Sequence, residues 1–265
     1  WKAGGNKNTF NIDDVGYASA AAAGLDSGSI TPTGASVGTK QGFSIIRYTG
    51  TYSSQPSTLD NVSHGLLQSP DLIITKSTNN TNDSGYWNVY HSSLNANQYL
   101  RLGSTAAAAT ISSGAGGNIA AHPTNTTFNT YYYSGSGNSG SNYITYLWHD
   151  VPGLQKFGKY SGTGSSGNFI ELGFRPALLI IKSTAGYGWA IVDTTRSDFN
   201  VKVASLYPNK DDAEYTGSGH EIDYLSNGFN LRNSNDRFNR SSTDYIYAAW
   251  AEAPSIDLYG GGANA

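Results

Sequence analysis

Asn142-Tyr-Ile-Thr-Tyr-Leu-Trp-His-Asp-Val-Pro152 and Asp244-Tyr-Ile-Tyr-Ala-Ala-Trp-Ala-Glu-Ala-Pro254 are close to one sentence written twice, with Tyr143/Tyr245, Trp148/Trp250 and Pro152/Pro254 each 102 positions apart. Read as a strand, the first stretch puts Ile144, Tyr146 and Trp148 on one face and Tyr143, Thr145 and Leu147 on the other, because side chains alternate across a pleated backbone. Both faces are largely apolar, which predicts a strand with neighbours on both sides. Proline lacks the N–H that a continuing ladder needs, so Pro152 and Pro254 are expected to close the two strands.

Working outward, the same landmarks recur in the same order. Phe43-Ser-Ile-Ile-Arg-Tyr48-Thr-Gly-Thr51 answers to Phe157-Gly-Lys-Tyr160-Ser-Gly-Thr163, and Pro70-Asp-Leu-Ile-Ile-Thr-Lys76-Ser-Thr78 to Pro176-Ala-Leu-Leu-Ile-Ile-Lys182-Ser-Thr184. Trp87-Asn-Val-Tyr-His-Ser-Ser-Leu94 matches Trp189-Ala-Ile-Val-Asp-Thr-Thr-Arg196 at the offset of 102 seen in the opening pair. Such self-similarity points to an internal duplication. Each copy reads as short strands separated by turn-formers: FSIIRY, DLIITK, YWNVYH, QYLRL and NYITYLW, then NFIEL, ALLIIK, GWAIVD, NVKV, GFNLR and DYIYAAW. That spacing predicts β-sandwiches.

Composition agrees. Only 13% of residues are charged while Gly and Tyr number 32 and 19, which favours strands and turns over amphipathic helices. The net charge of −3 comes without a basic run, so the Lys/Arg clustering that neutralises nucleic-acid phosphates is missing. No window approaches the roughly 18–20 apolar residues of a membrane span, and membrane insertion is not expected. With no cysteine, disulfides, thiol catalysis and thiolate metal sites are excluded.

The familiar catalytic signals are weak. Gly135-Ser-Gly-Asn-Ser-Gly140 and Gly162-Thr-Gly-Ser-Ser-Gly167 satisfy the dinucleotide glycine pattern, but each runs into a β-like segment where that motif needs a helix N-terminus. His64, His91, His122, His149 and His220 show no metal-ligand spacing, and no metal or other cofactor is expected. Asp211, Asp212, Glu214, Glu221 and Asp223 read as a solvated acidic loop rather than a Ca²⁺ site. No Gly-x-Ser-x-Gly elbow is present. Paired carboxylates for glycoside cleavage are defined by separation in space, which leaves a glycan-cleaving enzyme open. No catalytic residue is assigned.

Aromatic residues are the remaining lead, since sugars stack on exposed rings while neighbouring polar groups take the hydroxyls. Trp87, Trp148, Trp189 and Trp250 occur at the same place in both copies and are expected in the core. Tyr131, Tyr132, Tyr133, Tyr187, Tyr207 and Tyr215 belong to one copy only and are the candidate ligand-binding residues, with a subunit interface as their other use.

A family likeness emerges from several segments together. They are Trp1-Lys-Ala-Gly-Gly5, Thr9-Phe-Asn-Ile-Asp-Asp-Val-Gly-Tyr17 with its alanine run, Val62-Ser-His-Gly-Leu66, Trp87-Asn-Val-Tyr-His-Ser-Ser93, Lys156-Phe-Gly-Lys-Tyr-Ser-Gly162, Leu172-Gly-Phe-Arg-Pro176, Leu206-Tyr-Pro-Asn209, Leu225-Ser-Asn-Gly-Phe229 and Tyr245-Ile-Tyr-Ala-Ala-Trp-Ala-Glu-Ala-Pro254. The chain resembles, over nearly its whole length, the C-terminal region of tail-fibre and other virion structural proteins of marine tailed phages, cyanophages among them. The ending Tyr146-Leu-Trp-His-Asp-Val-Pro152 departs from the family's more usual Phe-Ala-Glu-like form, so the copies are expected to differ in role.

The resemblance implies a non-enzymatic virion module, on a tail fibre or other surface appendage, that attaches to a host-surface glycan. It implies partners among other virion proteins and copies of the same chain, trimers being common in fibres. Capsid decoration or a purely structural multi-subunit assembly is the alternative, followed by a polysaccharide depolymerase. The expected architecture is all-β. Residues 1–40 form a mostly extended linker or assembly segment, with one short helix possible over Ala18–Ala23. Residues 41–153 and 154–255 are two tandem jelly-roll or lectin-like sandwiches, separate or fused, and 256–265 a tail.

Overall fold

The structure, a computed structural model, describes residues 8–54, 58–79, 86–111, 121–131 and 136–253. It is all-β, with no helix among the described residues. The chain divides into two compact units, Trp1–Arg101 with Ala109–His149, and Leu102–Ala108 with Asp150–Ala265.

The first unit contains β1 (Phe10–Ile12), β2 (Val15–Tyr17), β3 (Gly34–Gly38), β4 (Phe43–Thr49), β5 (Asn61–Ser63), β6 (Leu72–Ser77), β7 (Trp87–His91), β8 (Gln98–Arg101), β9 (Ala109–Thr110), β10 (Thr127–Asn129) and β11 (Asn142–Trp148). Its large sheet has the order β2-β1-β3-β4-β11-β6-β7-β8-β9, and β10 pairs with β5 in a second sheet. The second unit contains β12 (Gln155–Ser161), β13 (Asn168–Glu171), β14 (Pro176–Ser183), β15 (Ala190–Asp193), β16 (Ile222–Leu225), β17 (Gly228–Leu231) and β18 (Asp244–Ala251). They form sheets β12-β18-β14-β15 and β13-β17-β16.

Each unit is a sandwich because the inward faces of its two sheets share one core. Ile46, Tyr48, Ile73, Tyr143 and Leu147 of the first large sheet cluster with Val62 and Phe128 of the small one. In the second unit Leu179, Ile181, Val192 and Tyr245 cluster with Ile170, Tyr224, Phe229 and Leu231. Alternation produces this directly: Tyr143, Thr145 and Leu147 are buried while Ile144, Tyr146 and Trp148 on the opposite face are half-buried. As expected from two apolar faces, β11 is central, between β4 and β6, and β18 lies between β12 and β14.

The order β4-β11-β6-β7 in the first unit is the order β12-β18-β14-β15 in the second. The registers coincide as well: Tyr143 faces Tyr48 and Ser77, and Tyr245 faces Tyr160 and Ser183. Around these tyrosines one hydrogen-bond set recurs. Tyr48 Oη donates to Ser136 O at 2.6 Å and Tyr160 Oη to Phe238 O at 2.7 Å. The Asn138 N–H donates to Tyr143 Oη at 3.1 Å, and the Arg240 N–H to Tyr245 Oη at 2.9 Å. The Gly50 and Gly162 N–H groups donate to Ser141 O and Thr243 O. The Tyr48 and Tyr143 rings stack 5.2 Å apart, and Tyr160 and Tyr245 5.1 Å apart, with Phe128 and Phe229 edge-on to the first ring of each pair. A buried phenol strands its hydroxyl unless a carbonyl receives it, so these partners are what let the core hold tyrosine at all.

Gly50 and Gly162 show how tightly the segment entering the central strand is drawn in. A Cβ at Gly50 would lie 2.3 Å from Asn138 O, and one at Gly162 2.1 Å from Arg240 O. Any side chain there would strike backbone that cannot rotate away.

Several expectations are corrected. Of the expected linker 1–40, residues 8–40 are no separate segment: β1, β2 and β3 extend the large sheet, with β3 antiparallel to β4 and parallel to β1, while 1–7 lie outside the described residues. Ala18–Ala23 forms turns rather than a helix, closed by the Leu25 N–H on Ala20 O at 2.9 Å. Phe43 does not match Phe157: it faces Trp148 as Gln155 faces Trp250, and Ile45 occupies the place of Phe157. NVKV makes only a bridge from Lys202 to Ile222. The units meet in sequence at His149/Asp150 rather than 153/154, and the segment Leu102–Ala108 goes with the second. Pro152 falls in a turn four residues beyond the end of β11. Pro254 and the expected tail 256–265 lie outside the described residues.

Candidate functional site

The first unit has a concavity between its two sheets, lined by Ile73 and Thr75 of β6, Asn88, Val89 and Tyr90 of β7, Gln98 and Tyr99 of β8, Phe128 and Asn129 of β10, with Tyr131 and Ser136 beside them. It comprises ≈ 50 Å³ of cavity within ≈ 520 Å³ of empty space that runs out to solvent. Ile73, Thr75, Asn88, Val89 and Phe128 are buried and form its depth. Tyr90, Gln98, Tyr99, Asn129 and Tyr131 are half-buried and form its rim. The lining is mostly apolar, and its polar groups are hydroxyls and carboxamides without a charged side chain.

The rim is tied together. Tyr131 Oη and Asn129 Nδ2 both donate to Ala121 O, at 3.2 and 3.1 Å, and Tyr90 Oη lies 2.7 Å from His122 Nδ1. In the depth the hydroxyls of Thr75 and Thr145 are 2.9 Å apart. Burial pushes the Tyr131 phenol up to about 12 and that of Tyr90 further, so both stay protonated and can donate or accept.

The matched place in the second unit is filled. Register puts Ile181 where the first unit has Thr75, Ala190 for Asn88 and Val192 for Tyr90, and these three are buried in one cluster. Tyr224 of β16 closes over them, its Oη donating to Val192 O at 2.7 Å. Among the described residues the small sheet of the first unit has no third strand equivalent to β16. Among the described residues the cavity therefore goes with two differences: polar side chains inside the sandwich, and no third strand in the small sheet.

Of the six tyrosines singled out from sequence, Tyr131 is at this rim, and Tyr132 and Tyr133 lie outside the described residues. Tyr187, Tyr207 and Tyr215 belong to the second unit, so the six do not make one site. Tyr207 and Tyr215 flank His220, with centroids 6.1 and 4.1 Å from the imidazole, and the Arg237 guanidinium sits 4.1 Å from the Tyr207 centroid. Tyr187 receives a hydrogen bond from Arg240. Sequence reasoning missed Thr75, Asn88, Tyr90, Gln98 and Asn129. The signal was present in Trp87-Asn-Val-Tyr against Trp189-Ala-Ile-Val, where two positions change from aliphatic to polar or aromatic.

The four matched tryptophans are not one core set. Trp189 is 4% exposed, Trp87 is 36% exposed, and Trp148 and Trp250 are half-buried. Trp87, Tyr146, Trp148 and Phe43 instead make a stacked row along the outer face of the large sheet, with successive centroids 6.3, 6.3 and 4.8 Å apart. Alternation explains this: Tyr146 and Trp148 share a face with Trp87 and Phe43, opposite the Tyr143 face that meets the second sheet.

Other ionisable groups serve the architecture. Lys182 is fully buried, and its Nζ donates to Ala106 O, Ser183 O and Gly186 O at 2.9 Å and to Tyr187 O at 2.7 Å. Burial, and then the Arg237 charge, draws its pKa down to about 8. His64 accepts the Leu66 N–H at Nδ1 and has Nε2 3.1 Å from Thr124 O; burial pulls it down to about 4. Burial, and then Arg237, does the same to His220. Among the described residues no three His, Asp or Glu side chains come together as a metal site.

No curated protein and no solved structure matches the chain. The family model that matches is a domain of unknown function, DUF7483, over residues 3–254. With all but the extreme ends of the sequence inside that match, the chain belongs to the DUF7483 family.

Proposed function

We propose that the chain is a non-enzymatic attachment module of a virion appendage, binding a host-surface glycan in the concavity of its first unit. The observation that carries this reading is the concavity itself, where tyrosines and carboxamides gather over an apolar floor without a charged group. Apolar walls with a few polar groups suit a sugar, which has one apolar face and a rim of hydroxyls. The virion setting, and three-fold self-association within it, rest on the resemblance to phage tail-fibre proteins. A glycan array tests the reading: it should return saccharides whose binding falls on Tyr131→Ala while the thermal midpoint is kept. Binding to none, or binding indifferent to Tyr131, overturns it. Release of reducing ends from a bound polysaccharide overturns its non-enzymatic part.

A second reading, assembly into a multi-subunit surface, is favoured by Leu67 and Phe199, which are 72% and 84% exposed. Large apolar side chains this bare often mark contact surfaces. Sedimentation should then show association that Leu67→Ser or Phe199→Ser weakens; a monomer at micromolar concentration removes this reading.

A further inference from the structure

We infer that the concavity of the first unit selects an acetamido group carried by a sugar. The inference rests on the glycan-binding reading and names the part of the glycan that enters. The cavity volume of ≈ 50 Å³ is on the order of a few water molecules. A pyranose ring is too large for that space, whereas a two-carbon acyl group suits it and leaves the ring in the open mouth.

The lining matches such a group in chemistry as well. Ile73 and Phe128, 6% and 2% exposed, offer an apolar surface to a methyl. Asn88 in the depth and Gln98 and Asn129 at the rim are carboxamides, each both donor and acceptor, the complement of a secondary amide. An ammonium entering here would be desolvated without a counter-charge, and the neighbouring charge is the Arg101 guanidinium, opposite Asn88 and 3.5 Å from Tyr99 Oη, which disfavours free amino sugars. The second unit supplies an internal contrast, because Ile181 and Ala190 replace Thr75 and Asn88 and the space is packed.

The test is titration of the full chain with N-acetylglucosamine and with glucose, followed by backbone amide NMR shifts. A ligand of this size is expected to bind with a dissociation constant on the order of 1 mM. N-acetylglucosamine should bind about tenfold or more tightly than glucose, the scale on which a pocket reads one small apolar group. Thr75→Ile, which installs the second unit's residue, should abolish that preference; if it fails to fold, Asn129→Ala and Tyr131→Ala at the rim should reduce it. Equal binding of the two sugars overturns the inference and leaves the glycan reading standing. An O-acetylated sugar that binds as tightly removes the amide from the argument and overturns it too. If no saccharide on the array binds, the glycan reading falls and this inference with it. A folded Thr75→Ile protein with unchanged binding shows that the ligand sits elsewhere.

Discussion

The two units place the same pair of residue types at matched positions and use them in opposite ways. In the first, Lys76 reaches over the ring of Trp87 with its Nζ 5.5 Å from the centroid, and the indole is 36% exposed. In the second, Lys182 is fully buried within hydrogen-bond distance of four carbonyl oxygens, and Trp189 is 4% exposed. The strands and their register are common to both, so the strands do not decide the outcome. Groups from elsewhere do: Ala106 comes from the segment Leu102–Ala108, Gly186 and Tyr187 from the turn after β14, and Asn209 and Arg237 hold the backbone of Trp189 at 2.7 and 3.3 Å. A conserved strand pattern fixes which way a side chain points, while connecting segments fix what it meets.

The shared part of the comparison can be broken at its tightest point. Gly50→Ala and Gly162→Ala each drive a methyl into a carbonyl oxygen, at distances of 2.3 and 2.1 Å. Each should cost about 3 kcal/mol or more, beyond ordinary overpacking because backbone must move. Urea unfolding of the two variants should give similar losses; a neutral effect at either position removes the common geometry there.

The divergent part is tested next. Lys182→Met leaves four carbonyl oxygens in a buried place without their donor, at a cost on the order of 3 kcal/mol. Lys76→Met gives up one half-exposed cation–π contact, on the order of 0.5 kcal/mol. Equal losses would mean that the two lysines are not the different objects described above.

Each unit also carries a buried histidine whose pKa is drawn down by burial. His64 and His220 are 0% and 4% exposed, with pKa values of about 4 against 6.5 for the free group. The unfolded chain therefore takes up protons first as the pH falls. Their contribution is intact above pH 6.5, is lost between 6.5 and about 4, and is constant below that. The most each could remove is about 3 kcal/mol. His64→Gln and His220→Gln should flatten that part of the stability–pH curve, and a curve unchanged in both variants would place the acid sensitivity elsewhere.

The smallest effect sharpens the comparison most. Tyr48→Phe and Tyr160→Phe each remove one hydroxyl and strand one carbonyl, Ser136 O or Phe238 O. Losses of about 1–2 kcal/mol are expected, equal within the error of a chemical melt. Unequal losses would show that identical hydrogen bonds carry different weight in the two units.

Much of this was legible in the sequence because it is local. Period-two alternation in NYITYLW and DYIYAAW was enough to make them central strands, and the constant offset between Trp87/Trp189 and Tyr143/Tyr245 anticipates the common register. The sheet role of residues 10–38 was hidden because β1 and β2 are three residues each, too short for periodicity to accumulate, and join the sheet only where β1 pairs with the distant β3, Phe10 beside Ala35. Matching Phe43 to Phe157 followed apolar identity, whereas the glycine and tyrosine after them, fixed by contact geometry, give the true alignment. The expectation that all four tryptophans were core failed at Trp87, because identity at matched positions carries no information about the loops that cover them. For the candidate site, Tyr131 was singled out as a tyrosine of one copy only, and it lies at the rim of the concavity. Asn88 and Thr75 were visible as departures from Ala190 and Ile181, yet their meaning depended on what packs above them, which comes from segments distant in sequence.

The burial of these tyrosines has an optical consequence. Tyr160 and Tyr224 are held far above the usual phenol value by burial, and Tyr245 and Tyr247 are pushed to about 12, while an unfolded phenol ionises near 10. Raising the pH past 10 thus favours the open chain, and the phenolate absorbance near the red edge of the tyrosine band should grow in two stages. Solvent-facing rings ionise first without loss of structure, and the sealed ones follow together as the sandwiches come apart, giving the molecule a built-in, label-free reporter of its own cooperativity.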